Sequence, residues 1–125
     1  MSDKVFAVLF ALLCVLFTTA GQLMMKKGVS GLEALPASWA DRVLFLAQTL
    51  FDPWIFVGIA CAFAAMLAWL AALSNAPISY IYPFMSISFL LVTIGGMVVF
   101  REHVPMMRWG GLSLIILGVF LVSRS

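Results

Sequence analysis

Residues Ile78 to Phe100 read ISYIYPFMSISFLLVTIGGMVVF, 23 positions without a charged side chain. Wound as a helix at ~1.5 Å per residue, that length crosses a hydrocarbon core of ~30 Å. Its polar members are not scattered. At about 100° per residue, Ser79, Tyr82, Ser86 and Thr93 fall within a sector of roughly 60°. Lipid offers a hydroxyl no partner, so this stripe is expected to face protein, a cavity or a ligand. Pro83 has no N–H and deprives the Ser79 carbonyl of its helical donor, which predicts a kink and a free acceptor beside Tyr82. The same pattern also fits plain interhelical hydrogen bonding around a tolerated proline.

Composition extends that reading to the whole chain. Of 125 residues, 65% are hydrophobic and 10% charged, against about 25% charged in a water-soluble domain. With a mean hydropathy of +1.18, the chain is expected to be an all-α membrane protein. The net charge of +2 is too small for a nucleic-acid partner, and there is no basic run. Cys14 and Cys61 lie inside apolar segments and read as small hydrophobes rather than a disulfide or metal pair. His103 has no companion ligand, so neither a metal nor another cofactor is expected.

The first apolar run, Val5 to Met25, follows Lys4 and continues to Lys26-Lys27, too long for the core of a signal peptide. Thr18, Gln22 and Lys26 step four residues at a time along one face, a polar track that ends at a basic mouth. A helix end anchored by lysines would look the same. Gly28 to Asp52 is a long connection in which Leu35, Trp39, Val43, Leu46 and Leu50 keep helical spacing after Pro36 and Ser38. It is too short and polar to span, and predicts an amphipathic interfacial segment lying on the membrane surface.

Asp52 and Pro53 read as N-cap and first residue of a second span, Trp54 to Leu73. Within it Gly58 with Ala62, and Ala64 with Ala68 and Ala72, have spacing suited to close helix packing. Residues 74–77 form a turn into the central span, 101–105 a turn out of it. Met106 to Val122 is the last span, in which Gly111 and Gly118 share a face. The expected architecture is a single four-helix transmembrane domain over 1–125, with spans at about 5–25, 54–73, 78–100 and 106–122. The side holding the first and third loops carries Lys26, Lys27, Arg42, Arg101 and Arg108; the other carries Lys4 and Arg124. That bias predicts those loops in the cytoplasm and the termini outside, and a basic cytoplasmic rim suited to a phosphate headgroup.

Three stretches in order carry a family likeness. Ala20-Gly21-Gln22-Leu23-x-x-Lys26, then Tyr82-Pro83-x-x-Ser86-x-x-Phe89 with Glu102 after it, resemble the drug/metabolite transporter superfamily. Within it, the chain resembles EamA-like proteins and the four-helix subunits of the aminoarabinose–phosphoundecaprenol flippase. Gly111 to Val119, GLSLIILGV, is similar to the dimerisation pattern of small multidrug resistance proteins. The likeness covers nearly all of the chain except the loop around Leu32 to Gln48, longer here than in those pumps.

One departure separates the branches. The multidrug pumps exchange protons through a glutamate in helix one, and at that place this chain has Thr18. Asp3, Glu33, Asp41, Asp52 and Glu102 all lie outside the four spans. A cation in lipid needs a compensating charge, so proton-driven drug export is disfavoured.

The resemblance implies a flippase-type transporter of the bacterial inner membrane, moving a polyisoprenyl-phosphate sugar or similar anionic lipid headgroup. Its implied partners are the lipid-linked substrate, membrane lipids, and a second copy or a paralogue in a dimer through Gly111 and Gly118. Candidate substrate-binding residues are Thr18, Gln22, Lys26, Tyr82, Pro83, Ser86, Arg101 and Glu102. Gln22 and Tyr82 enter from opposite faces, an offset of roughly 20 Å at ~1.5 Å per residue, which predicts two stations rather than one. The rival readings are an exporter of neutral compounds and an accessory subunit of a membrane enzyme. An enzyme itself is not expected, since the spans offer no nucleophile–base pair and no phosphate loop.

Overall fold

The computed structural model describes residues 3–30 and 38–125, and all their regular structure is helical. The order is α1 (Asp3–Ser30), α2 (Trp39–Thr49), α3 (Pro53–Leu73), α4 (Ile78–Ile81), a 3₁₀ segment (Tyr82–Ser86), α5 (Ile87–Val99) and α6 (Met106–Arg124). Among the described residues, four stretches are long and apolar enough to cross a membrane: α1, α3, the α4-to-α5 stretch Ile78–Val99, and α6. An apolar chain in lipid satisfies its backbone only by internal bonding, and a helix does this residue by residue. α1 begins two residues before the expected first span and runs five past its end, and α6 continues two residues past the expected last one. Leu35 and Pro36 of the amphipathic pattern, and Glu33, lie outside the described residues.

α1 and α3 form the antiparallel pair on which the rest is built. The residues α1 buries include Ala7, Ala11, Cys14, Gly21 and Gly28; α3 buries Gly58, Ala65, Ala68 and Ala72 along with Ile55. Small side chains let the backbones approach, which matters because lipid provides no hydrophobic drive for helix pairing. At the crossing, a Cβ added to Gly21 would lie 2.9 Å from the Gly58 carbonyl oxygen, and one added to Gly58 would lie 2.9 Å from that of Gly21. The buried alanine row is Ala65, Ala68 and Ala72; Ala64, expected there, is half-buried. Asp52 caps α3, accepting from the Trp54 amide at 2.9 Å with Pro53 following it, as its sequence predicts.

The third span packs on α1. Ile81 and Phe84 bury against Ala7, Ala11, Ala72 and Val119, and Gly95 meets Leu23. Its middle differs from the kinked α-helix that Pro83 predicts. The proline's missing donor is accommodated by a tighter turn, Tyr82–Ser86, rather than by a simple kink. At about 120° instead of 100° per residue, five residues of 3₁₀ helix advance the later positions by roughly 100°. The stripe of Ser79, Tyr82, Ser86 and Thr93 is therefore split between faces. α6 is the most loosely held span, burying only Leu112 and Val119. α2 has no buried residue, and Trp39, Val43 and Leu46 stand exposed along it. That is the form of a helix whose apolar side has no protein to cover it.

Candidate functional site

A groove of about 370 Å³ opens between α1, α3 and the 3₁₀ segment. One face of α1 lines it with Cys14, Thr18, Gly21, Gln22 and Met25. From Cys14 to Met25 this face extends roughly 16 Å at ~1.5 Å per residue. α3 contributes Ala62, Ala65, Met66 and Trp69, and the third span contributes Tyr82 and Met85. Tyr82 and Trp69 meet edge to face, with ring centroids 5.8 Å apart, a contact of about 1 kcal/mol that fixes the tyrosine ring at the wall. The Thr18 hydroxyl and the Cys14 thiol are 3.8 Å apart, and both cysteines are free. The wall is apolar apart from one amide, two hydroxyls, a thiol and the Trp69 indole N–H, and no acid is among its lining side chains.

Three of the sequence-predicted residues, Thr18, Gln22 and Tyr82, thus share one groove, with Gln22 toward one end and Tyr82 beside Trp69 at the other. Gln22 and Tyr82 therefore line the same groove. Ser86 and Pro83 are half-buried and are not among its lining residues, because the 3₁₀ segment turns them aside. Thr93 lines a separate groove with Phe89, Arg108, Gly111 and Ile115, while its hydroxyl donates to the Phe89 carbonyl.

The charged residues gather one turn beyond Gln22. Lys26 Nζ stands 4.0 Å from Glu102 Oε1. The Lys27 ammonium lies over the Trp54 ring, 4.1 Å from its centroid, so the two lysines point to different neighbours. Arg101 is exposed and adopts a left-handed φ of 54°, which turns the chain at the end of α5. The Gly96 carbonyl accepts from the amides of Phe100 and Glu102 at 3.0 and 3.2 Å. The opposite end holds Lys4 over the Tyr80 ring at 4.8 Å and Arg124 over Phe120. Gly111 and Gly118 are exposed with nothing within 4 Å of an added Cβ, an open face on α6.

Sequence reasoning missed Met25, Met66, Trp69 and Met85 as lining residues. Met25 was within reach by continuing the Thr18 face of α1. Trp69, four residues from the end of α3, reads as an ordinary interfacial aromatic until Tyr82 is seen against it.

No protein-family model and no solved structure matches the chain. Curated relatives do. The probable 4-amino-4-deoxy-L-arabinose-phosphoundecaprenol flippase subunit ArnE of Aeromonas hydrophila is 33% identical over 116 residues, covering 93% of this chain and 96% of that one. The same-named subunit of Proteus mirabilis is 36% identical over 116 residues, 91% of this chain and 95% of its own. That of Pectobacterium atrosepticum is 32% identical over 115 residues, 92% and 95% of the two chains. With its four membrane-spanning stretches the chain is a multi-pass protein of the bacterial inner membrane. At such identity over nearly the full length of both partners, the chain belongs to the family of 4-amino-4-deoxy-L-arabinose-phosphoundecaprenol flippase subunits that these ArnE proteins represent.

Proposed function

We propose that the chain is one subunit of a flippase that carries a polyprenyl-phosphate-linked sugar across the inner membrane, a transporter and not an enzyme. The observation that carries this is the groove that joins Gln22 to Tyr82 without a carboxylate in its wall. A drug whose only charge is positive would be stranded there, whereas a sugar tied to its own phosphate brings a counter-charge and finds amide and hydroxyl partners for its ring. The prenyl tail stays in lipid, so the groove need shelter only the polar head. Lys26, one turn before Gln22, meets the phosphate at the cytoplasmic mouth, and the head then passes Gln22 and Thr18 to reach Tyr82. Arg101 and Lys27 add to the basic rim that draws the anion.

The relatives' names say subunit, which supports an assembly. A second copy or a paralogue packs against the open face of α6 at Gly111 and Gly118. The test is transport in proteoliposomes, with a fluorescent polyprenyl-phosphate sugar in the outer or inner leaflet. Gln22→Ala should weaken uptake of the head from the cytoplasmic leaflet by about tenfold, as expected for loss of hydrogen bonds in a desolvated site. Lys4→Ala, at the opposite end, should leave uptake within twofold. Equal effects of Lys4→Ala and Lys26→Ala would mean that the cations set topology only, and the reading would fall.

A further inference from the structure

The Lys26–Glu102 pair is held in place by a costly piece of backbone. Arg101 occupies the left-handed region at φ 54°, which any residue with a Cβ adopts reluctantly. That turn folds Glu102 back so that its amide reaches the Gly96 carbonyl. Room for the carboxylate exists only because residue 96 is glycine: an added Cβ would stand 2.8 Å from Glu102 Oε2. Yet the pair made this way is a weak one, 4.0 Å long with its side chains 55% and 48% exposed. Half-exposed pairs contribute little to stability, so stability gives a poor account of so deliberate a turn. Recognition gives a better one, since the pair stands one turn of α1 beyond the Gln22 end of the groove.

Resting on the flippase reading above, we infer that Lys26 and Glu102 together read a zwitterionic headgroup, Lys26 taking the phosphate and Glu102 the ammonium of an amino sugar. A sugar with its phosphate and amine across one ring separates the two side chains and leaves each with a partner of opposite sign. A headgroup that carries only the phosphate takes Lys26 and leaves Glu102 facing a like charge. The carboxylate is thus the repulsive element that rejects uncharged-sugar phosphates, as well as the attractive one for the amine. Lys27 does not relieve that repulsion, because its ammonium is engaged over Trp54.

The experiment compares two short-chain probes, prenyl-phosphate 4-amino-4-deoxyarabinose and its N-acetyl form, which has the same shape at the ring and no positive charge. Binding is measured in nanodiscs to the full chain with whatever subunit co-purifies. Wild type should bind the amino form about tenfold more tightly, the scale of one partly exposed charge-assisted contact. Glu102→Gln should bind both forms equally, with N-acetyl binding at least as tight as in wild type, and Glu102→Asp should keep part of the preference. A tenfold preference that survives in Glu102→Gln, or its absence from wild type, overturns the inference while the flippase reading stands. Wild type that binds neither probe saturably overturns that reading and the inference with it.

Discussion

The crossing of α1 and α3 at Gly21 and Gly58 is open to a sharp test, because the same substitution should have opposite signs at two glycines. At Gly21 a new Cβ would stand 2.9 Å from the Gly58 carbonyl oxygen and 3.2 Å from Cys61 Cβ. The first contact is about half an ångström short of ordinary van der Waals distance, and its partner is backbone, which cannot rotate away. The helices must part, and every small-on-small contact from Ala11 to Gly28 loses some dispersion energy. Overpacking of this kind costs ~1–3 kcal/mol; the helix propensity of alanine returns ~1 kcal/mol. Gly21→Ala should therefore lose about 1 kcal/mol net, and Gly21→Val about 2–3 kcal/mol.

Gly110, in α6, has nothing within 4 Å of an added Cβ. Only propensity acts there, so Gly110→Ala should gain about 0.5–1 kcal/mol. Gly58→Ala meets the reciprocal obstacle, the Gly21 carbonyl at 2.9 Å. Combined with Gly21→Ala it should cost less than the sum, since the first substitution has already parted the helices. The assay is reversible unfolding in mixed micelles of a mild detergent with rising dodecyl sulfate, followed by circular dichroism. If Gly21→Ala stabilises as much as Gly110→Ala, the close crossing is refuted.

Three other outcomes follow from the same geometry. Arg101→Gly should stabilise the fold by about 0.5–1 kcal/mol in that unfolding assay, because glycine enters the left-handed region freely; destabilisation would show that the side chain does more than tolerate the turn. Gly111→Leu with Gly118→Leu should leave folding intact and convert crosslinked dimer to monomer in membranes, since neither glycine meets a neighbour in its own chain. Tyr82→Phe keeps the ring against Trp69 and removes one hydroxyl from the groove, so headgroup binding should stay within about twofold while release slows; loss of binding comparable to Gln22→Ala would put both residues at a single station.

The four apolar stretches and the Asp52 cap were legible in the sequence because each is a local, additive property. A run of apolar residues either reaches across ~30 Å or does not, and Asp52-Pro53 starts a helix wherever that helix is placed. The polar face of α1 was legible for the same reason: Thr18 and Gln22 share a side by spacing alone. Which sides meet was another matter. Lipid is as apolar as a buried leucine, so hydrophobicity does not mark the protein-facing side of a membrane helix. Ala64 and Ala65 were indistinguishable on that criterion, and only packing against α1 chose the second. The stripe on the third span was projected through a regular helix, and the five-residue 3₁₀ segment around Pro83 moved its later members to another face. Lys26 and Glu102 are far apart in the chain, and the sequence named each as a candidate binding residue without pairing them. Their meeting depends on how the third span docks on α1 and on one left-handed residue, and both are decided by the tertiary structure, because no local preference encodes the rotation of one helix against another.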